Sequence, residues 1–150
     1  MLQWATARIG AILVTLNPAY RGNEIVDALA ISQVQHLFVV PHIRSSTYLQ
    51  MLSSIFPSLS STPQGQPLSL DRLPDLKSIV VIDDVGGGQN LETEMARVKP
   101  AVDFREILVW REAGHEESEV RKLEASLQEH DVINLQFTRY VLDNCRWISY

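Results

Sequence analysis

Short apolar runs alternate with segments of helical periodicity along most of the chain, and this order limits the fold more than any other feature. Four apolar runs have the length of strands, at residues 11–16, 36–40, 78–82 and 131–137. Between them, apolar residues recur three and four positions apart, as on one face of an amphipathic helix. Strands that alternate with helices favour parallel pairing, because a crossover helix carries the chain back to the end of the sheet at which the previous strand began. The sequence therefore predicts an α/β fold on a parallel sheet, with residues 11–16 as a buried strand.

Six segments show helical spacing, and the sequence predicts a helix in each. The first ends at Gly10, and the third is expected to take Ser45 or Ser46 as its N-cap, because a serine hydroxyl accepts a hydrogen bond from the first helical turn. The segment Pro57–Pro74 is rich in serine, proline and glutamine, which predicts an exposed loop. The predicted helices cover residues 2–9, 23–33, 45–55, 91–98, 104–110 and 116–129, with Leu2, Ala5 and Ile9 on the inner face of the first and Val120, Leu123 and Leu127 on that of the last.

Composition excludes several classes of protein. The chain has 150 residues, of which 13 are Lys or Arg and 18 are Asp or Glu, for a formal net charge of −5. This length alone is that of one domain, and the negative charge disfavours nucleic-acid binding, which requires clustered cations. Cys145 is the one cysteine, so no intrachain disulfide is expected. The longest apolar stretch, Ile9–Leu16, is shorter than the ~20 residues that span a bilayer. No targeting signal is visible, so the default expectation is a cytoplasmic location.

Two features that follow the third predicted strand suggest ligand binding. Gly86–Gly88 has the glycine content of a phosphate loop, but neither a lysine nor the GxGxxG spacing accompanies it, so a flexible turn is the preferred interpretation. Asp83 and Asp84 offer carboxylate oxygens to a metal ion. Adjacent strand residues point to opposite faces, so at most one of them would face a site. A solvated strand end is the preferred interpretation of this pair.

The histidines and the cysteine do not form a recognisable catalytic or metal-binding pattern. His115–Glu119 approaches the HExxH zinc signature, but Glu119 stands where the second histidine is required, so a zinc site is rejected. Cys145 lies beside Arg146, which favours the thiolate, yet no motif places a base near it, and an unreactive thiol is preferred. The remaining histidines, His36, His42 and His130, lack ligand spacing. We therefore expect neither a metal site nor a catalytic residue.

An ordered series of motifs resembles the adenylate-forming, or AMP-binding, acyl-CoA synthetase superfamily. The resemblance is strongest to its medium-chain fatty acid–CoA ligases and covers residues 1–138. Single motifs would be weak signals, whereas the series in this order is specific. The motifs are Ala7–Arg21 with its Asn-Pro turn, Leu37–Pro41, Tyr48–Leu52, Arg72–Lys77, Ile79–Asp83 and Asp131–Thr138.

The resemblance implies a partial N-terminal ligase domain in residues 1–138 and a tail outside the family pattern in residues 139–150. In the family, ATP with Mg and a fatty acid form an acyl-adenylate, and coenzyme A then displaces AMP. A Ser-Gly-Thr-Thr-Gly-x-Pro-Lys loop holds the phosphates, directly after the strand that here ends at Thr138. Residues 139–147 read Arg-Tyr-Val-Leu-Asp-Asn-Cys-Arg-Trp instead, with no glycine for a tight loop. Thr138 alone maps to the edge of the cofactor-binding motif, and a role as an ordinary strand-end residue is preferred.

Two hypotheses for the function follow. In the first, the chain is a truncated piece of an ATP-dependent fatty acid–CoA ligase, catalytically inactive and binding no cofactor itself, whereas its parent family binds fatty acid, ATP and coenzyme A and is often mitochondrial or peroxisomal. In the second, it is a stand-alone, non-catalytic binding or regulatory module. Truncation would leave apolar faces and strand edges without their neighbours, and these favour self-association.

Overall fold

The computed structural model describes residues 2–43, 45–83, 88–108 and 114–137. The chain divides into two compact units, where length alone predicts one: unit 1 comprises residues 1–17 and 110–150, and unit 2 comprises residues 18–109. The elements in chain order are α1 (Leu2–Arg8), β1 (Leu13–Thr15), α2 (Gly22–Ile31), β2 (His36–Val39), β3 (His42–Ile43), β4 (Ser46–Thr47), α3 (Tyr48–Ile55), a 3-10 helix (Pro57–Ser60), β5 (Ser78–Val81), α4 (Gly88–Met95), β6 (Val102–Asp103), α5 (Phe104–Ile107), α6 (His115–Ser126) and β7 (Asn134–Gln136).

Unit 2 is built on a three-stranded parallel sheet with the strand order β2–β5–β6. His36–Val39 pairs with Ser78–Val81 along its whole length. Val102 and Asp103 pair with the last two residues of β5 on the other side. Helices occupy the long connections between these strands, as parallel pairing requires. The predicted α/β class with a parallel sheet is confirmed.

The core of unit 2 surrounds strand β5. Ile79 and Val81 are fully buried and Val80 is 5% exposed. Three consecutive buried residues show that both faces of this strand are covered, because successive side chains point to opposite faces. The other buried apolar side chains are Ile25, Val26, Ala28, Leu29, Leu37, Tyr48, Leu49, Leu52, Phe56, Leu59, Leu70, Leu73, Leu76, Leu91, Val98 and Ala101.

Unit 1 pairs β1 with β7 in parallel, with Leu13 opposite Asn134. Its two helices are joined by Arg8, whose guanidinium donates two hydrogen bonds to the Glu124 carboxylate, at 3.2 and 2.9 Å. None of the described residues of this unit, 2–17 and 114–137, is buried. In the part of unit 1 that the structure describes, the apolar side chains therefore lie on its surface rather than in a core.

The sequence-based expectations of burial in unit 1 are wrong. Residues 11–16 do not form a buried strand, since Ile12 is 52% exposed. Ala5 of α1, Ile9 just after this helix and Leu123 of α6, all expected to face inward, are exposed. An amphipathic face is buried only where a second layer packs on it, and the described residues of unit 1 provide two helices and two short strands.

The predicted serine cap of the third helix is also wrong. Ser46 and Thr47 form β4, which pairs with β3 in a short antiparallel ladder. The helix begins at Tyr48, and its backbone N–H donates to the carbonyl of Pro41 at 2.9 Å. A backbone carbonyl from the preceding turn thus takes the place expected for the hydroxyl of Ser45 or Ser46.

The segment Pro57–Pro74 is only partly the exposed loop that its composition predicts. It begins with the 3-10 helix, and Leu59 and Leu73 on it are 0% and 3% exposed. Arg72 on the same segment donates to Asp27 of α2 at 3.0 Å. The buried leucines of Pro57–Pro74 therefore belong to the core of unit 2, whereas the serines and prolines of the same segment lie at the surface.

No helix in the described part of the chain is long and apolar enough to cross a membrane.

We predict that Ile79→Ala lowers the free energy of unfolding of unit 2 by about 2–5 kcal/mol, because it leaves a cavity at a fully buried site. Ile31→Ala is the matched control, since Ile31 is 42% exposed and its truncation should cost less than about 1 kcal/mol. Urea denaturation of both variants measures the difference. Equal losses at the two positions would contradict the assignment of the core to β5.

A second prediction concerns Gly10, which has φ +71° and would place an added Cβ 2.9 Å from Cδ2 of Leu127. We expect Gly10→Ala to destabilise unit 1 by more than the ~1 kcal/mol that left-handed backbone costs an L-residue. Gly65 separates the two causes, since it has φ +82° but open space around its added Cβ. Amide hydrogen exchange measures local opening near each glycine, and an effect of Gly10→Ala no larger than that of Gly65→Ala would refute a role for the Leu127 contact.

Candidate functional site

The carboxyl end of the β1–β7 pair is the place where the sequence predicts the edge of a phosphate site. Thr15 lies opposite Gln136 in the parallel register, so the two strands end side by side. Leu16 and Phe137 follow them, both half-buried. Thr138, the one predicted cofactor-binding residue, lies outside the described residues, as does the tail that follows it.

The described side chains at this end do not fit a nucleotide triphosphate and its metal ion. Polyphosphate is held in proteins by backbone N–H groups of a glycine loop and by a lysine, whereas leucine and phenylalanine stand directly after these two strands. The described residues of the chain also contain no group of three or more His, Cys, Asp or Glu side chains with metal-site geometry. The two described side chains that directly follow these strands are therefore apolar and offer no donor to a phosphate.

The carboxyl end of the β2–β5–β6 sheet carries a second group of charged residues. The Asp103 carboxylate accepts hydrogen bonds from the Arg105 backbone N–H at 2.8 Å and from its guanidinium Nε at 3.0 and 3.1 Å, and it forms an ion pair with Nη2. The Asp103 side chain is 11% exposed. The Asp103 carboxylate caps the N-terminus of α5, and its negative charge is neutralised by the guanidinium of Arg105.

These contacts shift the pKa values of Asp103 and Arg105 in the directions that favour their charged forms. The guanidinium hydrogen bonds of Arg105 hold the pKa of Asp103 below its ordinary value, against the opposing effect of desolvation. The pKa of Arg105 is raised, first by Asp103 and more weakly by Asp83 and Glu106. The Arg105 side chain is 69% exposed, and its charge is matched by its ion pair with Asp103. The group stabilises the turn into α5 and leaves little charge to recognise an anion.

Sequence reasoning did not single out Asp103. The signal that would have found it is an aspartate between a valine and a helical segment, the pattern of an N-cap that follows a strand. Strand β6 spans only Val102–Asp103, which is too short for a periodic pattern to detect. The sequence suggests Asp83 as a metal ligand or a solvated strand end. In the structure Asp83 is half-buried, and its negative charge contributes to raising the pKa of Arg105. Asp84 lies outside the described residues.

The remaining candidates are dispersed. Gly88 begins α4, and Gly86 and Gly87 lie outside the described residues, as does Cys145. His115 begins α6 and is exposed. His36 Nδ1 lies 2.8 Å from Ser78 Oγ across the β2–β5 ladder, at the opposite end of the sheet from Asp103.

A shallow groove in unit 1 is lined by ion pairs rather than by free charges. Arg8 pairs with Glu124 as described above, and Arg121 donates to Glu117 Oε1 at 3.2 and 2.7 Å. The hydrogen bonds from Arg8 lower the pKa of Glu124. The residues that line the groove are Arg8, Glu116, Glu117, Val120, Arg121 and Glu124. The ion pairs along the groove therefore connect α1 with α6, and each arginine that lines it already has a carboxylate partner.

Comparison with known proteins identifies relatives along nearly the whole chain, although no family model matches it. The mitochondrial medium-chain acyl-CoA ligase ACSF2 of Danio rerio is 28% identical over 138 residues, which cover 92% of this chain and 20% of the relative. The putative acyl-CoA synthetase YngI of Bacillus subtilis is 29% identical over 139 residues, covering 91% of this chain and 23% of the relative. The ACSF2 ligase of Bos taurus is 30% identical over 141 residues, with 92% and 20% covered.

The chain thus spans about a fifth of the length of these relatives. The sequence similarity along 91–92% of its own length relates the chain to acyl-CoA ligases and synthetases. The family resemblance inferred from the ordered motifs is confirmed.

We predict that Asp103→Asn makes unit 2 less stable at neutral pH, because it removes the ion pair with Arg105 while it keeps an oxygen for the N-cap. The folded pKa of Asp103 lies below its unfolded value, so its stabilisation is present above the unfolded value and is lost as the pH falls through the folded one. The difference between native chain and variant should therefore shrink below pH ~4.

Urea denaturation from pH 7 to pH 2.5 measures this dependence, with Asp75→Asn at an exposed position as the control. A difference between native chain and Asp103→Asn that stays constant over this pH range would show that the charge of Asp103 is not what stabilises the turn.

Proposed function

We propose that residues 1–138 correspond to part of the N-terminal domain of an ATP-dependent fatty acid–CoA ligase, and that residues 139–150 lie outside the family pattern. We further propose that this 150-residue chain does not itself form acyl-adenylate. The relatives named as medium-chain ligases favour a medium-chain fatty acid as the substrate of the full-length ligase, with ATP, Mg and coenzyme A as its other ligands.

The observation that carries this proposal is the chemistry after strand β7. In the family, the phosphate-binding loop follows this strand, and its glycines let successive N–H groups turn toward the β- and γ-phosphates. Residues 139–146 of this chain contain neither a glycine nor a lysine. Transfer of the adenylyl group depends almost entirely on the position and charge of such groups, so their replacement removes the main source of rate enhancement.

The charges that the structure describes at the sheet ends support the same conclusion. Asp103 and Arg105 neutralise each other, and the ends of β1 and β7 are followed by apolar side chains. Among the described residues at these strand ends, the one cation named, Arg105, is paired with Asp103. We therefore attribute the similarity to shared ancestry and a shared fold, and we propose that this chain does not catalyse adenylation.

The second hypothesis, a stand-alone binding or regulatory module, is supported by one observation. The buried apolar side chains of the described residues all lie between Ile25 and Ala101, within unit 2. A unit with its own core can fold without catalytic function. A monodisperse 150-residue chain that melts cooperatively would favour this hypothesis, and an insoluble chain would favour the inactive ligase segment.

We predict that the purified 150-residue chain releases pyrophosphate at the background rate when it is supplied with ATP, Mg²⁺, coenzyme A and a medium-chain fatty acid. The ACSF2 ligase of Danio rerio in the same assay is the positive control. Thr138→Ala should leave the rate unchanged, because residues 139–146 supply neither a glycine nor a lysine for a phosphate loop. Turnover above background that Thr138→Ala lowers would contradict the proposal.

A further inference from the structure

One loop of unit 2 is held at both ends and lies at the surface between them. It comprises residues 61–69 and is called the exposed loop below. Leu59 before it and Leu70 after it are 0% and 5% exposed, whereas none of the nine residues between 61 and 69 is buried. The Leu59 carbonyl also accepts a hydrogen bond from the backbone N–H of Lys99 at 2.9 Å. The core of unit 2 therefore fixes where the exposed loop begins and ends.

Few hydrogen bonds hold the backbone of the exposed loop beyond its first two residues. Among the described residues, 63–69 make one backbone–backbone hydrogen bond, from the Gln66 N–H to the Pro63 carbonyl at 3.4 Å. Gly65 has φ +82° and open space around an added Cβ. A surface segment with few hydrogen bonds opens locally without unfolding the core to which its ends are attached. The exposed loop can therefore be drawn into the extended form in which enzymes and other proteins bind a peptide segment.

Thr62 and Pro63 give the exposed loop a chemical feature that an enzyme can recognise. They form the one Ser-Pro or Thr-Pro pair in the 150 residues. Proline has no N–H, so a pocket without a hydrogen-bond acceptor takes proline and rejects residues whose N–H it would leave unpaired. Serine/threonine kinases of the proline-directed class select the residue after the reactive hydroxyl in this way.

The hydroxyl of Thr62 lies at the end of the 3-10 helix and at the surface. It donates to the Ser58 carbonyl at 3.0 Å, and the Thr62 backbone N–H donates to the same carbonyl at 2.9 Å. Thr62 is half-buried, but its hydroxyl hydrogen bond is exposed, so water replaces the Ser58 carbonyl at little net cost. Reaction at this hydroxyl therefore requires neither the opening of a strand pair nor the removal of a core side chain.

Thr47 is another exposed threonine of unit 2, and its surroundings differ from those of Thr62. Thr47 lies opposite His42 in the β3–β4 ladder, and it is followed by Tyr48 and Leu49 of α3, which are 7% and 0% exposed. To extend the chain around Thr47, the ladder would have to open and two core side chains would have to leave unit 2. Thr47 is therefore a negative control within the same unit.

We propose that Thr62 is a phosphorylation site for a proline-directed serine/threonine kinase. Thr62 Oγ1 attacks the γ-phosphorus of ATP bound to the kinase, and the new Oγ1–P bond replaces the bond from this phosphorus to the bridging oxygen. ADP leaves with the electron pair of the broken bond, and the hydroxyl proton passes to the aspartate base of the kinase.

The modification changes both the charge and the hydrogen bonding of the exposed loop. Residues 61–69 contain no charged side chain, and the phosphate adds a charge of about −1.5 to −2 at neutral pH. The phosphate ester also replaces the hydroxyl that donates to the Ser58 carbonyl. Phosphorylation therefore places a new anion on the surface of unit 2 and releases the start of the loop from the 3-10 helix.

The test incubates the folded 150-residue chain with ATP, Mg²⁺ and a cyclin-dependent kinase, which belongs to the proline-directed class. Mass spectrometry measures the initial rate and locates the phosphate. We expect one phosphoryl group on Thr62 and none on Thr62→Ala. Pro63→Ala should lower the rate at least about tenfold, because the pocket then faces an unpaired N–H. The matched control Pro67→Ala, in the same loop, should leave the rate unchanged, as should Thr47→Ala.

A synthetic peptide of residues 57–69 shows whether the kinase accepts the local sequence. If the folded chain reacts more than about a hundredfold more slowly than this peptide, the fold conceals Thr62 and the proposal is overturned. Phosphate on a different residue, equal rates for the native chain and Pro63→Ala, or no reaction of either chain or peptide also overturns it. A chain that is insoluble alone is assayed as a fusion to a soluble carrier protein. These outcomes do not depend on the pyrophosphate assay, since the kinase supplies the chemistry.

Discussion

The pairing of β5 with a strand on each side is the constraint on which unit 2 depends. Ser78–Val81 lies between β2 and β6, and Ile79, Val80 and Val81 are all buried. A strand with two neighbours satisfies its backbone groups on both edges, and its side chains are shielded on both faces. Leucines from the helices and from Pro57–Pro74 gather around this strand, so that even a serine- and proline-rich connection contributes to the core.

Unit 1 has the same type of local sequence but not the same burial. Its strands Leu13–Thr15 and Asn134–Gln136 pair only with each other among the described residues. Its helices meet through the Arg8–Glu124 ion pair at the surface, which contributes little in water. The contrast between the units shows that an apolar run becomes a core strand only when a second layer from elsewhere in the polypeptide packs on it.

The proposed function depends on whether the charged side chains are paired within the protein or are left to bind a ligand. The family matched by this chain performs chemistry on a triphosphate, which calls for cations and free N–H groups at a strand end. In the described residues, the charged groups are used internally: Asp103 and Arg105 hold the turn into α5, and Arg8 and Arg121 hold glutamates of α6. The similarity over 92% of the chain therefore concerns the sequence and its α/β fold, whereas the proposed lack of adenylation rests on the residues that follow β7 in the sequence.

The sequence by itself determined the α/β class, the four long strands in outline and the family, because periodicity, apolar runs and ordered motifs are properties of the chain read locally. Only the tertiary structure decided that the Pro41 carbonyl rather than a serine caps the third helix, that Asp103 is bound by Arg105, and that Ile12 and Leu123 are exposed. Each of these depends on which segments meet in space, and an amphipathic pattern states which face of an element is apolar without stating whether anything covers it.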